Sequence, residues 1–215
     1  MKIGILGAGN IGKQIGRLAV SSGHHVLLSN SRGPETLPFD IVAELGDSLT
    51  PSTAREVVTE SDLVVVAIPL GNYSRIPEPP AGKIVIDAGN YYQARDGVIA
   101  ELESGSATTS GLLQAHLPTA RVVKAFNHIA SAELTTDSRK PGSPGRRALI
   151  VAGDDPTARA TVAGLVDAFG FDPLDIGELS EGWRVQAGTP AYCVPLTKEE
   201  LSESLSRTER PSASA

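Results

Sequence analysis

Six residues near the start, Gly7-Ala8-Gly9-Asn10-Ile11-Gly12, constrain this chain more than any other feature. They follow the apolar run Lys2-Ile3-Gly4-Ile5-Leu6 and open a helix-like stretch, Lys13-Gln14-Ile15-Gly16-Arg17-Leu18-Ala19-Val20. A lone G-x-G-x-x-G is weak. Set between a strand and a helix, it is the dinucleotide-binding fingerprint in its proper context. The first Gly allows a tight turn, the second lets the backbone approach a pyrophosphate, and the third lets helix and strand pack closely. Free N–H groups at the helix start then face the phosphates. The competing reading is a Gly-rich turn in a ligand-free α/β protein.

The next strand selects the dinucleotide. It reads His25-Val26-Leu27-Leu28-Ser29 and continues Asn30-Ser31-Arg32-Gly33-Pro34. NAD sites carry an Asp or Glu about 20 residues past the glycines, bonded to the ribose 2′-hydroxyl. Here Asn30 or Ser31 stands at that position and Arg32 follows. A hydroxyl and a guanidinium suit a 2′-phosphate, which a carboxylate would repel. The expectation is NADP(H), with Ser31 and Arg32 on the 2′-phosphate.

With 215 residues the chain can bury a sizeable core. A net charge of −6 argues against nucleic acid or an anionic membrane as partner. No apolar run is long enough to span a bilayer. The first strand begins at Lys2, which leaves no room for a signal peptide. The single cysteine, Cys193, allows no internal disulfide and no zinc site alone. A cytoplasmic location is expected.

Strand-like runs at 2–6, 25–29, 63–68, 84–87, 121–126, 147–151 and 172–175 alternate with helix-like segments, among them 53–60 and 155–169. That alternation predicts an α/β fold, a doubly wound and mostly parallel sheet. The expected division is a dinucleotide-binding domain over 1–177, a C-terminal segment over 178–205 that closes the pocket or dimerises, and a polar tail over 206–215 with little structure. The loop 138–147, rich in Pro, Gly and basic residues, reads as solvated surface. Ligands of open sheets bind at the carboxyl ends of the strands. Five such ends should line one crevice: Gly7–Gly12, Ser29–Arg32, Ile68-Pro69-Leu70, Ala88-Gly89-Asn90 and Phe126-Asn127-His128.

Within it, His128 is either a proton relay and substrate-orienting group or a locally bonded residue that shapes the pocket. Asn127 offers an amide for a carboxamide or carbonyl. His24 and His25 point to opposite faces of a strand and cannot share a metal, so no metal site is expected. Tyr91-Tyr92-Gln93-Ala94-Arg95 lacks the lysine of a Tyr-x-x-x-Lys reductase pair and reads as loop or pocket wall. Trp183 reads as packing, and Asp154-Asp155 as helix capping.

Several segments recur together in one known family. They are Gly7-Ala8-Gly9-Asn10-Ile11-Gly12, Ser29-Asn30-Ser31-Arg32, Ala67-Ile68-Pro69, Val122-Val123-Lys124-Ala125-Phe126-Asn127 and Ala152-Gly153-Asp154-Asp155, followed by 172–179. Over residues 1–185 the chain resembles the coenzyme F420-dependent NADP oxidoreductases, and also the cytosolic domain of the six-transmembrane metalloreductases. The resemblance implies a Rossmann-type sheet of about eight strands, the last two antiparallel to the rest, and a homodimer. It implies that Ala8, Gly9, Asn10 and Ile11 wrap the pyrophosphate. It places Ile68, Pro69, Ala88 and the 127–130 segment, to Ala130, around the nicotinamide, beside Asn90. In that family a hydride passes directly between nicotinamide and deazaflavin, so no nucleophile or general base is required. Asn127 and His128 would then serve only to position. The chain departs from the archaeal members at Asn127-His128-Ile129-Ala130 and over 182–190, the two regions that contact the deazaflavin. The metalloreductases' haem domain is not expected. Three functions stay open: hydride transfer with F420, an NADPH-dependent reductase of a flavin, quinone or imine, and a non-catalytic NADP sensor.

Overall fold

A computed structural model describes residues 1–210. Eight strands form one sheet: β1 (Lys2–Leu6), β2 (His25–Ser29), β3 (Leu49–Pro51), β4 (Leu63–Val66), β5 (Ile84–Asp87), β6 (Arg121–Lys124), β7 (Ala148–Gly153) and β8 (Asp172–Asp175). Their order is β3-β2-β1-β4-β5-β6-β7-β8. Strands β1 to β6 pair in parallel. Strand β7 is antiparallel to β6 and parallel to β8, so the last two run against the other six. The chain is thus an α/β protein of Rossmann type, as its alternating pattern and its resemblance imply.

The longer helices are α1 (Asn10–Ser21), α2 (Phe39–Leu45), α3 (Ala54–Glu60), α4 (Thr109–His116), α5 (Pro156–Ala168) and α6 (Lys198–Ser206). Both sheet faces are covered, and successive residues of one strand enter different cores. Val65 packs with Ile15, Leu18, Val162 and Val166 of α1 and α5, whereas Val64 and Val66 pack with Val57, Val58 and Leu113 of α3 and α4. A third cluster joins Ile150 and Ala152 of β7 to Val185, Ala191, Leu201 and Leu205 of the C-terminal extension. None of the described helices is long and apolar enough to cross a membrane.

Register positions the site. Register neighbours run Ser29–Leu6–Val66–Asp87–Lys124 across five strands, so their carboxyl ends form one row.

Several expectations need correction. Strands β4 and β6 stop at Val66 and Lys124, short of 68 and 126. Phe126 adopts φ 62° and turns the backbone out of the sheet. The eighth strand, β3, is a three-residue edge whose extended form comes from pairing with β2. Helix α6, within the C-terminal extension, opens on a Thr197–Glu200 capping box. The tail after Leu205 was expected to have little structure. Thr208 is in fact buried, and the Arg210 guanidinium lies 5.7 Å from the centre of the Trp183 ring. The last part of that tail, 211–215, lies outside the described residues.

Candidate functional site

The turn after β1 is held by the Gly7 N–H, which donates to the Ser29 carbonyl at 3.0 Å. Gly7 has φ 113°, a conformation L side chains avoid. A Cβ on Gly12 would sit 1.9 Å from the Gly7 carbonyl oxygen, so only Gly lets α1 approach the turn. Gly9 caps α1 without a side-chain bond, and the first turn carries no acidic residue. Nothing lies within 4 Å of a Cβ built on Gly9. The first amides of a long helix therefore face open space, where a pyrophosphate fits.

At the end of β2, Asn30 is occupied. Its Oδ1 accepts the N–H groups of Arg32 at 2.9 Å and Gly33 at 3.0 Å, and its Nδ2 donates to Thr36. That turn leaves Ser31 and Arg32 exposed on the rim of a cavity of about 610 Å³, which also holds Gly7, Ala8, Gly9 and Arg75. Arg75 was not anticipated. Nothing around it in the sequence marks it; the helical turn Leu70–Arg75 after β4 brings it across.

A second cavity, of about 430 Å³, shares Ala67, Ile68 and Pro69 with the first. The two form one cleft along the carboxyl edge of the sheet. Asn10, Ile11, Ala88, Asn90, Asn127 and Ala130 line the second part. The sequence-derived residues thus meet along these two cavities, except His128 and Gly12, which line neither.

His128 is turned into the core at 1 % exposure. Its Nε2 accepts the Ile150 N–H at 3.0 Å, and its carbonyl accepts the Cys193 N–H at 3.2 Å. Burial, with Arg147 nearby, pushes its pKa down to about 3. A neutral imidazole locked on β7 cannot relay protons to the cleft. The local, pocket-shaping role is the one it fills, since it supports the 191–193 segment from behind. Trp183 packs, with Arg184 4.6 Å from its ring centre. Tyr91 bonds within its own loop, to Gly97 and Glu103, while Tyr92 and Arg95 form pocket wall.

Behind the cleft lies a buried charge network. Asp87, at the end of β5, accepts from Tyr73 Oη at 2.6 Å, the Gly89 N–H at 2.9 Å, Ser110 Oγ at 2.6 Å and Lys124 Nζ at 3.1 Å. Lys124 also donates to Thr109 Oγ1 at 3.0 Å and to the Gly89 carbonyl. Burial lowers the Lys124 pKa, and the Asp87 charge opposes that shift. Every proton of the ammonium has an acceptor, which a charge at 2 % exposure requires. The network holds the 88–90 loop that forms the cleft floor. Asn127 emerges beside it, after the strained Phe126. Its Nδ2 donates to the Val185 carbonyl at 2.9 Å and to Asn90 Oδ1 at 3.2 Å. Its Oδ1 is buried without a partner among the described residues.

A wider hollow of about 680 Å³ beside the start of α4 shares no lining residue with this cleft. Its residues, among them Thr108, Asp154 and Glu178, do not fall on the row of strand ends.

Comparison with known proteins agrees with this geometry. Residues 2–91 match the family model described as NADP oxidoreductase, coenzyme F420-dependent. Metalloreductase STEAP3 of Rattus norvegicus is 31 % identical over 190 residues, which are 86 % of this chain and 36 % of that protein. The chain thus spans about a third of that relative's length. Among solved structures, the hypothetical protein SMa0349 of Sinorhizobium meliloti superposes with TM-score 0.77 at 28 % identity, covering 92 % of this chain and 96 % of the other. A protein of Arthrobacter sp. FB24, described as a candidate F420-dependent NADP-reductase, gives TM-score 0.68 at 25 % identity over 83 % of this chain and 85 % of its own. Over residues 2–91, its dinucleotide-binding region, the chain thus matches the coenzyme F420-dependent NADP oxidoreductase family, and that region is part of one eight-stranded sheet.

Proposed function

We propose that this protein is an NADP(H)-dependent oxidoreductase in which the cleft between Arg32 and Asn127 holds the dinucleotide against a flat acceptor. One observation carries the reading: the two cavities adjoin and share the wall Ala67–Pro69, with open backbone donors and exposed arginines at one end and an amide-lined wall at the other. Ala8, Gly9, Asn10 and Ile11 take the pyrophosphate, and Ser31 and Arg32 take the 2′-phosphate. The unpartnered Asn127 Oδ1 suits a carboxamide N–H of the nicotinamide. Ile68 and Pro69 press on the ring and exclude water. When bound, NADPH supplies a hydride from C4 of its nicotinamide. Positioning in a dry, preorganised site is then the main contribution of the protein. Coenzyme F420 is the acceptor that the family points to. A homodimer and a cytoplasmic location belong to the same proposal.

The test is stopped-flow absorbance of the protein with NADPH, mixed with oxidised F420 and then with FMN. Rapid NADPH loss with F420 alone supports the deazaflavin reading. Tight NADPH binding without oxidation by either acceptor overturns it and favours another organic substrate or a sensor.

A further inference from the structure

One group of side chains in the cleft has no part in holding the cofactor. Tyr192 and Tyr92, a hundred residues apart in sequence, share a hydrogen bond between their hydroxyls. The Tyr192 oxygen also accepts from Asn90 Nδ2 at 3.4 Å, and that same nitrogen donates to the Asn127 carbonyl at 2.7 Å. The pair therefore sits at the nicotinamide end, and both tyrosines line the cleft. Tyr92 is 39 % exposed, whereas Tyr192 is half-buried.

Either hydroxyl can donate in the Tyr92–Tyr192 bond. A phenol oxygen accepts two hydrogen bonds and donates one. If Tyr192 accepts from Asn90 and from Tyr92, its own proton is left for the cleft, with only the weakly accepting Cys193 sulfur beside it. Burial raises the Tyr192 pKa, so the phenol stays protonated. The segment is held firmly: Cys193, at φ 57°, is pinned to the His128 carbonyl. Among the residues that line the second cavity, Arg95 is the only one charged at neutral pH, and it is paired with Asp96. No carboxylate lines the cleft to receive a cationic substrate.

Resting on the oxidoreductase reading, we propose that Tyr192, supplied by Tyr92, is the proton donor to an acceptor of the conjugated ring-carbonyl class, such as a quinone. The hydride and its electron pair leave nicotinamide C4 for the acceptor ring. The displaced π pair moves through the ring to a carbonyl oxygen, which takes the Tyr192 hydroxyl proton. The Tyr192 phenolate recovers a proton from Tyr92, and Tyr92 recovers one from water. NADPH, quinone and one proton become NADP⁺ and hydroquinone. An iminium ion needs no such donor and would find no counter-charge here.

The probe is 2,3-dimethyl-1,4-naphthoquinone, whose methyl groups block addition of the Cys193 thiol. Oxidised F420 and N-methyl-3,4-dihydroisoquinolinium are run in parallel. Tyr192→Phe removes one oxygen and should leave NADPH affinity unchanged. It should slow NADPH oxidation by the quinone about a hundredfold or more. Tyr92→Phe should have a smaller effect. Calorimetry on the NADP⁺ complex supplies a readout apart from turnover: quinone affinity should fall about tenfold in Tyr192→Phe. Wild-type rate and affinity in Tyr192→Phe, or oxidation by the iminium alone, overturns this proposal but not the oxidoreductase reading. Failure of NADPH to bind, or of all three acceptors to oxidise it, overturns both.

Discussion

The two ends of the cleft are built from opposite materials. At the phosphate end the working groups are unsatisfied and open: the first amides of α1 have no cap, and Ser31 and Arg32 stand in solvent. At the nicotinamide end nearly everything is buried and already bonded: Asp87 accepts four hydrogen bonds, Lys124 donates three, and Asn127 is held by Val185 and Asn90. Charge recognition needs donors that lack partners and can reach water-borne phosphates. Hydride transfer needs a ring held in one geometry, so its frame is tied to itself and leaves few free groups. Asn127 Oδ1 is one of those few.

This contrast can be broken by experiment, and the largest effect is expected at the closed end. Lys124→Met strands the Asp87 carboxylate in the core and should cost about 3–5 kcal/mol in urea unfolding. A loss below about 1 kcal/mol would mean the network is wet and the end is not closed. The open end predicts a different signature. Arg32→Ala should leave unfolding unchanged and weaken NADPH by about 1.5–3 kcal/mol, with little effect on NADH. Equal losses for both cofactors in titration calorimetry would remove the 2′-phosphate contact.

A third effect, spread over several pH units, sharpens the boundary between the two ends. The His128 pKa is about 3 folded, against 6.5 in an exposed chain. Between those values the unfolded chain binds a proton that the folded chain refuses. Stability is therefore full above pH 6.5 and falls as pH drops, by about 1.4 kcal/mol per pH unit at most, ceasing to fall near pH 3. His128→Gln should flatten that part of the profile in urea titrations. An unchanged slope would locate the acid sensitivity elsewhere and free the imidazole for chemistry.

Legibility followed the same division. The phosphate end was readable because its residues are consecutive: Gly7 to Gly12 and Ser29 to Arg32 each make a local turn with its own stereochemical demand. Long buried strands such as Val64–Val66 and capped helices such as α5 announced themselves by apolar runs and by Asp155 before Pro156. Short β3 did not, since three residues carry no period and its strand form depends on β2. Lys124 was visible as part of the Lys-Ala-Phe-Asn segment, yet its partner Asp87 lies 37 residues earlier and was read only as the end of a strand. The two roles of His128 stayed open for a similar reason. A position at the end of a strand does not say which way the ring turns, and here Ile150 on β7 takes it into the core.

The amino-acid sequence by itself determined the α/β alternation and the tight Gly7–Gly12 turn, and it placed Ser31 and Arg32 where a carboxylate would stand in an NAD site. Each of these is a local consequence of backbone sterics, side-chain period or charge within a few residues. Tertiary structure alone decided the Asp87–Lys124 frame, the withdrawal of His128 and the meeting of Tyr92 with Tyr192. Those depend on strand register and on the return of the C-terminal extension over β7, which bring residues distant along the chain within hydrogen-bond range.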